Sequence, residues 1–131
     1  MTAVLDAWAV LALLRDETGA AEVERSVEGG GAVISWMNLG EVFYIVACEG
    51  SEAEAAAAVE RVRASVRTLE VDADLVLAAA RVKAHHAVSY ADAFAVALAE
   101  RLRRPLITGD PEILALNREV DVIDPREGHD R

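Results

Sequence analysis

The sequence predicts an α/β domain built on a parallel sheet. Two observations carry that expectation. Short apolar segments of strand length alternate with longer segments of helical character along the whole chain. The composition is 53% hydrophobic but only 5% aromatic, with Ala, Val and Leu dominant, which suits helices packed on a sheet better than an all-β sandwich. At 131 residues the chain is expected to form one domain with a real core. That domain should span residues 1–124, with residues 125–131 as a polar, mobile tail.

Each element has its own signal. Residues 2–5 are short, apolar and bounded by Asp6, which reads as a buried strand. Residues 8–16 read as a helix that Gly19 breaks, and a more polar helix follows to about residue 28. Gly29-Gly30-Gly31 is a turn, and residues 32–35 are a second strand. A helix is expected from about Asn38 to Glu49, stopped by Gly50. Ser51-Glu52-Ala53-Glu54 is a capping box that opens an Ala-rich helix to about residue 64. Residues 67–71 form a strand, and Asp72 opens a helix that ends near His85-His86. Ser89-Tyr90-Ala91-Asp92 opens the next helix, which runs to Arg103. Residues 105–108 are a strand, Gly109-Asp110-Pro111 a turn, residues 112–116 a short helix and residues 120–123 a last strand.

Net charge narrows the functional classes. Thirteen basic against 23 acidic side chains leave −10, which argues against gripping nucleic acid over a broad surface. It argues less against an enzyme that meets phosphate through bound cations, because metals reverse the local sign. The one cysteine, Cys48, allows no intrachain disulfide and is expected to be a buried small hydrophobe. The N-terminus lacks the basic start of a signal peptide, and no charge-free apolar run reaches the ~18 residues a membrane helix needs. A soluble, cytoplasmic protein is the expectation, with no membrane partner.

The chemistry-bearing pattern is where acids sit among apolar residues. Asp6 is the only charge in residues 1–14, Glu41 in 35–48, Asp92 in 84–99 with His neutral, and Asp110 in 105–111. An unpaired carboxylate in an apolar segment costs several kcal/mol, as a rough figure, unless a cap, an ion pair or a metal compensates. Asp6 and Asp110 directly follow predicted strands. Glu41 and Asp92 are expected in the first turns of their helices. All four can therefore meet beyond the carboxyl ends of one parallel sheet, where α/β proteins bind ligands. Gathered acids repel one another, and hard cations such as Mg²⁺ or Mn²⁺ are their natural neutraliser. Such ions activate water and stabilise a phosphate under attack, which is phosphodiester hydrolysis.

Structural readings of the same residues stay open. Asp92 fits the capping box Ser89-x-x-Asp92, Asp110 fits a Gly-Asp-Pro turn, and Asp6 fits a helix N-cap. Glu41 has no basic residue nearby in sequence to explain it. His85-His86 suits a helix C-terminus better than a metal. Trp8 and Trp36 are expected in core or interface positions. Gly29-Gly30-Gly31 lacks the Lys and Ser/Thr of a phosphate-binding loop.

With these residues in place, the chain resembles the PIN-domain family, specifically the VapC-type toxins of toxin–antitoxin pairs. The likeness spans about residues 3–124 and rests on four short motifs in order. They are Val4-Leu5-Asp6, Asn38-Leu39-Gly40-Glu41-Val42, Tyr90-Ala91-Asp92-Ala93-Phe94 and Leu106-Ile107-Thr108-Gly109-Asp110. The resemblance implies a three-layer α/β/α sandwich around the parallel sheet and a Mg²⁺- or Mn²⁺-dependent endoribonuclease. By motif match Asp6, Glu41 and Asp92 are the core metal ligands and Asp110 the fourth acid, direct or through water. Thr108 and Asn38 match supporting positions, and Glu112 an outer acid. The implied partners are an RNA substrate, with transfer RNA one candidate, a cognate antitoxin, and a second copy in a homodimer.

One departure stands out. Relatives often carry Ser or Thr soon after the first Asp, where this chain has Ala7-Trp8-Ala9. An indole is therefore expected near the metal, with altered substrate fit. Arg15, Arg61, Arg63, Arg101, Arg103 and Arg104 are candidates for gripping RNA, none singled out. Two other functions fit the same residues: a binding module of this fold without turnover, and a metal-dependent phosphatase or DNA nuclease.

Overall fold

Successive strand residues point into two different cores, and that alternation sets the layers. In the computed structural model, which describes residues 2–116 and 120–127, Val4, Val33 and Leu106 belong to one apolar cluster. Their chain neighbours Leu5, Ile34 and Ile107 belong to the other. Side chains on a strand alternate faces, so each two- or three-residue strand feeds both.

The elements run in the order β1 (Val4–Leu5), α1 (Ala7–Leu14), α2 (Ala20–Glu28), β2 (Val33–Ser35), α3 (Trp36–Glu49) and α4 (Glu52–Arg63), followed by β3 (Arg67–Leu69), α5 (Ala73–His85), α6 (Tyr90–Leu102), β4 (Leu106–Ile107), α7 (Pro111–Leu114) and β5 (Val122–Ile123). All strand pairs are parallel, in the order β3-β2-β1-β4-β5. One face is covered by α5 and α6 through Leu75, Ala79 and Phe94. The other is covered by α1 to α4 through Val10, Val23, Leu39, Val42 and Val62. This is the expected three-layer α/β/α arrangement. The chain builds outward from β1 through β2 to β3, then returns to the other side of β1 for β4 and β5. The switch in direction therefore lies between β1 and β4, where ligands of open α/β sheets bind.

The Ala-rich composition finds its use in α6. Residues 92–99 are all buried, a helix enclosed almost all round, and Ala lets neighbours approach it closely. No helix among the described residues is long and apolar enough to cross a membrane.

Three expectations shift. Helix α3 starts at Trp36 rather than Asn38, because the Ser35 hydroxyl at the end of β2 accepts the Asn38 N–H at 3.1 Å and caps the helix there. Glu41 thus lies in the second turn, not the first. Cys48 is exposed rather than buried, since it lies one turn beyond the exposed Tyr44 on the outer face of α3. The stretch read as a mobile tail begins as a packed turn: Pro125 is buried and Arg126 is hydrogen-bonded to the domain. Residues 128–131 lie outside the described residues.

Candidate active site

Asp6 ends β1 and caps α1: its Oδ1 accepts the Ala9 N–H at 2.9 Å. Its Oδ2 accepts the Thr108 hydroxyl. Thr108 is itself fully buried just past β4, and its oxygen also accepts the Asp110 N–H at 3.0 Å. One hydroxyl therefore ties the acid after β1 to the acid after β4 across the switch point. Asp110 caps α7, with Oδ1 accepting from Glu112 N–H at 2.8 Å and Ile113 N–H at 3.4 Å. Pro111 follows it at the first helical position, where a missing N–H costs nothing.

Glu41 and Asp92 come from α3 and α6, and Asn38 registers one helix against the other. Asn38 is fully buried. Its Oδ1 accepts the Ser35 hydroxyl at 2.7 Å, and its Nδ2 donates to the Ala91 carbonyl at 2.9 Å. Ala91 precedes Asp92, and Glu41 follows Asn38 by about one turn. The amide thus fixes the spacing of the two acids from behind. Ser89 caps α6 through the Asp92 N–H at 3.1 Å, so the capping reading of this segment holds alongside its place in the site.

The acids lie close enough to feel one another's charge. Burial pushes the Asp6 carboxyl up to about 7, against the Thr108 and Ala9 hydrogen bonds that favour its charged form, and Asp92 and Asp110 raise it further. Burial, then the charge of Asp110, pushes Asp92 up to about 6, with Glu41 and Glu112 adding and the Ser89 hydroxyl opposing. Glu41 is raised above the usual carboxylate range by partial burial and by Asp110. Among the described residues the ion pairs lie elsewhere, at Arg15–Glu49, Arg25–Glu22, Arg63–Glu60, Arg101–Asp72 and Arg126–Asp124. None of these pairs includes an acid of the site.

All four acids singled out in the sequence therefore converge, and a fifth joins them. Asp92, Asp110 and Glu112 each offer an oxygen within 4.8 Å of the others'. The sequence marks Glu112 only as an outer acid; its place one residue past Pro111 brings its carboxylate into this group. Asp6 and Glu41 lie outside this tightest group but feel its charge: Asp92 and Asp110 raise Asp6, and Asp110 raises Glu41. The group grades from buried Asp92 to exposed Glu112, so it has a wall and a mouth. An all-carboxylate donor set with no cationic partner among the described residues fits a hard divalent ion.

Other candidates sit apart. Arg103 and Arg104 precede β4 and lie at the opposite end of the sheet from the acids, beside Pro105 and Asp121. Arg15 and Arg61 line a cleft between α1, α3 and α4. The Trp8 indole packs against Gly109, the residue before Asp110, where an added Cβ would overlap the ring. The Arg126 guanidinium lies 4.9 Å from the Trp8 ring centre, and Nη2 donates to the Gly109 carbonyl at 3.1 Å. Arg126 was not anticipated from the sequence; its segment is polar and lies next to the C-terminus, and its partners are distant along the chain.

Comparison with known proteins agrees with this fold. The fold matches that of VapBC from Salmonella typhimurium bound to DNA, with a TM-score of 0.76 at 14% identity over 95% of this chain and 98% of that one. It matches VapBC2 from Rickettsia felis, bound to a promoter DNA fragment, with a TM-score of 0.74 at 12% identity over 94% and 98%. It also matches VapC20 of Mycobacterium tuberculosis, a toxin that cleaves the sarcin–ricin loop, with a TM-score of 0.70 at 21% identity over 88% and 95%. No curated protein matches the sequence. The PIN domain family matches residues 3–119, which takes in β1, α3, α6, β4 and every acid of the site. On that match, the chain belongs to the PIN-domain family.

Proposed function

We propose that this protein is a Mg²⁺- or Mn²⁺-dependent endoribonuclease and the toxin of a toxin–antitoxin pair. The observation that carries the reading is the convergence of Asp6, Glu41, Asp92 and Asp110, with Glu112, at the switch point of the sheet, with no cationic partner among the described residues. Asp92, Asp110 and Glu112 would hold the cation directly, with Asp6 and Glu41 completing the negative shell. When bound, the cation would supply an activated water and charge stabilisation at the phosphate.

The chain's own groups account for the rest. Thr108 holds Asp6 and the Asp110 backbone at fixed spacing. Asn38 holds the Glu41 and Asp92 helices in register. The high proton affinities of Asp6 and Asp92 mean that ion and proton compete for the site, so activity should rise with pH through their titration.

An RNA substrate is supported by the sarcin–ricin-loop-cleaving relative, and a cognate antitoxin by the VapBC complexes among the structural matches. A homodimer follows from the resemblance to VapC-type toxins, and the exposed Met37 and Tyr44 on α3 are apolar surface such a contact would cover. The reading assigns the enzyme to the cytoplasm, where its substrate is.

The test is cleavage of total transfer RNA by purified, antitoxin-free protein with Mn²⁺ and with EDTA, beside Asp92→Asn. Discrete metal-dependent products that vanish in the variant are expected. Identical products from the variant would place the chemistry elsewhere. Parallel lanes with single-stranded DNA and a simple phosphoester separate a ribonuclease from a general phosphodiesterase.

A further inference from the structure

We propose that the turn at residues 124–126 is a latch on the loop carrying Asp110, with Arg126 and Trp8 as its positioning residues. The functional meaning of the latch rests on the acid site described above; its geometry does not.

The loop from Thr108 to Asp110 needs outside support. It leads into α7, a helix of four residues, too short to be stable by itself. Gly109 sits between the residue that bonds Asp6 and the acid that faces Asp92. One side of Gly109 is covered by the Trp8 indole so closely that no side chain fits. Its carbonyl accepts Arg126 Nη2 at 3.1 Å. The peptide at the centre of the loop is thus held by a ring and by a charged donor.

Arg126 is itself fixed on three sides. Nε and Nη2 donate to the two oxygens of Asp124, both at 3.0 Å, in a fork that Lys cannot reproduce. The Arg126 N–H also donates to Asp124 at 3.0 Å. The guanidinium stacks over Trp8 at 4.9 Å. Pro125 packs toward Gly19, whose φ of +98° makes the bend between α1 and α2. The turn is therefore seated on the domain at both ends of the contact. It presents one donor to the loop and leaves the acids untouched.

The test is backbone hydrogen exchange and Mn²⁺ binding, the latter by the paramagnetic signal of free Mn²⁺, on the full chain. The variants are Arg126→Ala, Arg126→Lys and, as control, Arg101→Ala, which removes the bidentate Arg101–Asp72 pair far from the loop. In Arg126→Ala the Asp110 and Glu112 amides are expected to exchange about tenfold faster, while the Val4 and Val33 amides in the sheet keep wild-type rates. Mn²⁺ affinity is expected to fall about tenfold, as when groups that orient ligands are removed. Arg126→Lys should move the same amides in the same direction by about threefold, which keeps the test valid if the Ala variant does not fold. Arg101→Ala should change neither readout. Unchanged exchange at Asp110 and Glu112 in either Arg126 variant overturns the latch. If exchange responds as expected but the wild-type chain binds no Mn²⁺ at millimolar concentration, the latch stands and the metal-site reading falls.

Discussion

Replacing Asp6 by Asn should stabilise the metal-free protein while abolishing its activity, and the size of the gain follows from the site. The Asp6 carboxyl is 1% exposed and titrates at about 7 in the fold, against 3.8 when unperturbed. A raised acid binds its proton more tightly folded than unfolded. Stability is therefore fully retained below 3.8, falls as pH rises toward about 7, and stays reduced above it. A shift of that size costs about 4 kcal/mol once the group ionises. Asn is nearly isosteric and never ionises. Its Oδ1 can keep the Ala9 N–H, but its amide leaves the Thr108 hydroxyl proton without an acceptor, at a cost of about 1 kcal/mol. The net gain at pH 8 is about 3 kcal/mol, or about 10 °C in melting temperature for a domain of this size. The assay is thermal melting of wild type and Asp6→Asn in EDTA at pH 4.5, 6 and 8. The two should nearly coincide at pH 4.5 and separate as pH rises. Millimolar Mn²⁺ should then raise the wild-type curve far more than the variant's. A variant that melts at or below wild type at pH 8 in EDTA would refute the account of Asp6 as a buried, uncompensated acid.

Three further perturbations bear on the supports. Thr108→Val removes the hydroxyl that holds Asp6 in its charged form and that accepts the Asp110 N–H; the Asp6 carboxyl should climb above about 7 and the acid limb of the pH–rate profile should move up with it. Asn38→Ala deletes the bridge from Ser35 to Ala91, so denaturant melts should show a loss of about 1–3 kcal/mol, with kcat falling as Glu41 and Asp92 lose register. Gly109→Ala drives a methyl group into the Trp8 indole and should cost about 1–3 kcal/mol by overpacking, partly recovered when combined with Trp8→Leu in a double-mutant cycle.

The fold could be read because its signals are local. The caps at Ser51, Asp72 and Ser89, the stop at Gly50 and the strand-length apolar runs each act within a few residues. The start of α3 shows where that breaks down. Ser35 belongs to β2 and also caps α3, so strand and helix share a residue, and no loop separates them for the eye to find. The Arg126 latch was illegible for a different reason. Asp124, Pro125 and Arg126 have the composition of an exposed tail, and what makes them structure is Trp8, Gly19 and Gly109, all far off in sequence. Glu112 was within reach, being an acid two residues past Asp110, but only the turn at Pro111 decides that its carboxylate faces Asp92.

The site also explains why the structural and functional readings of its acids could not be separated from sequence: they are the same arrangement. Asp6 and Asp110 are N-caps, and each spends one oxygen on the helix that follows it. A cap needs a short acid or hydroxyl at the end of a strand, where the next helix begins. In a parallel sheet every strand ends at the same edge, so capping acids on adjacent strands are neighbours. Where those strands flank the switch point, the caps line the crevice. Capping alone does not account for the set, because Ser or Asn would cap as well without adding charge. Glu41 has no helix end to cap in the second turn of α3, and Asp92 lies buried beside it while Ser89 does the capping. Asp6, Glu41 and Asp92, whose proton affinity is raised by burial and by neighbouring acids, are a standing cost to the metal-free fold. A cation that removes the cost converts it into binding energy, and the stabilisation gained by Asp6→Asn measures how much the fold gives up to keep that site.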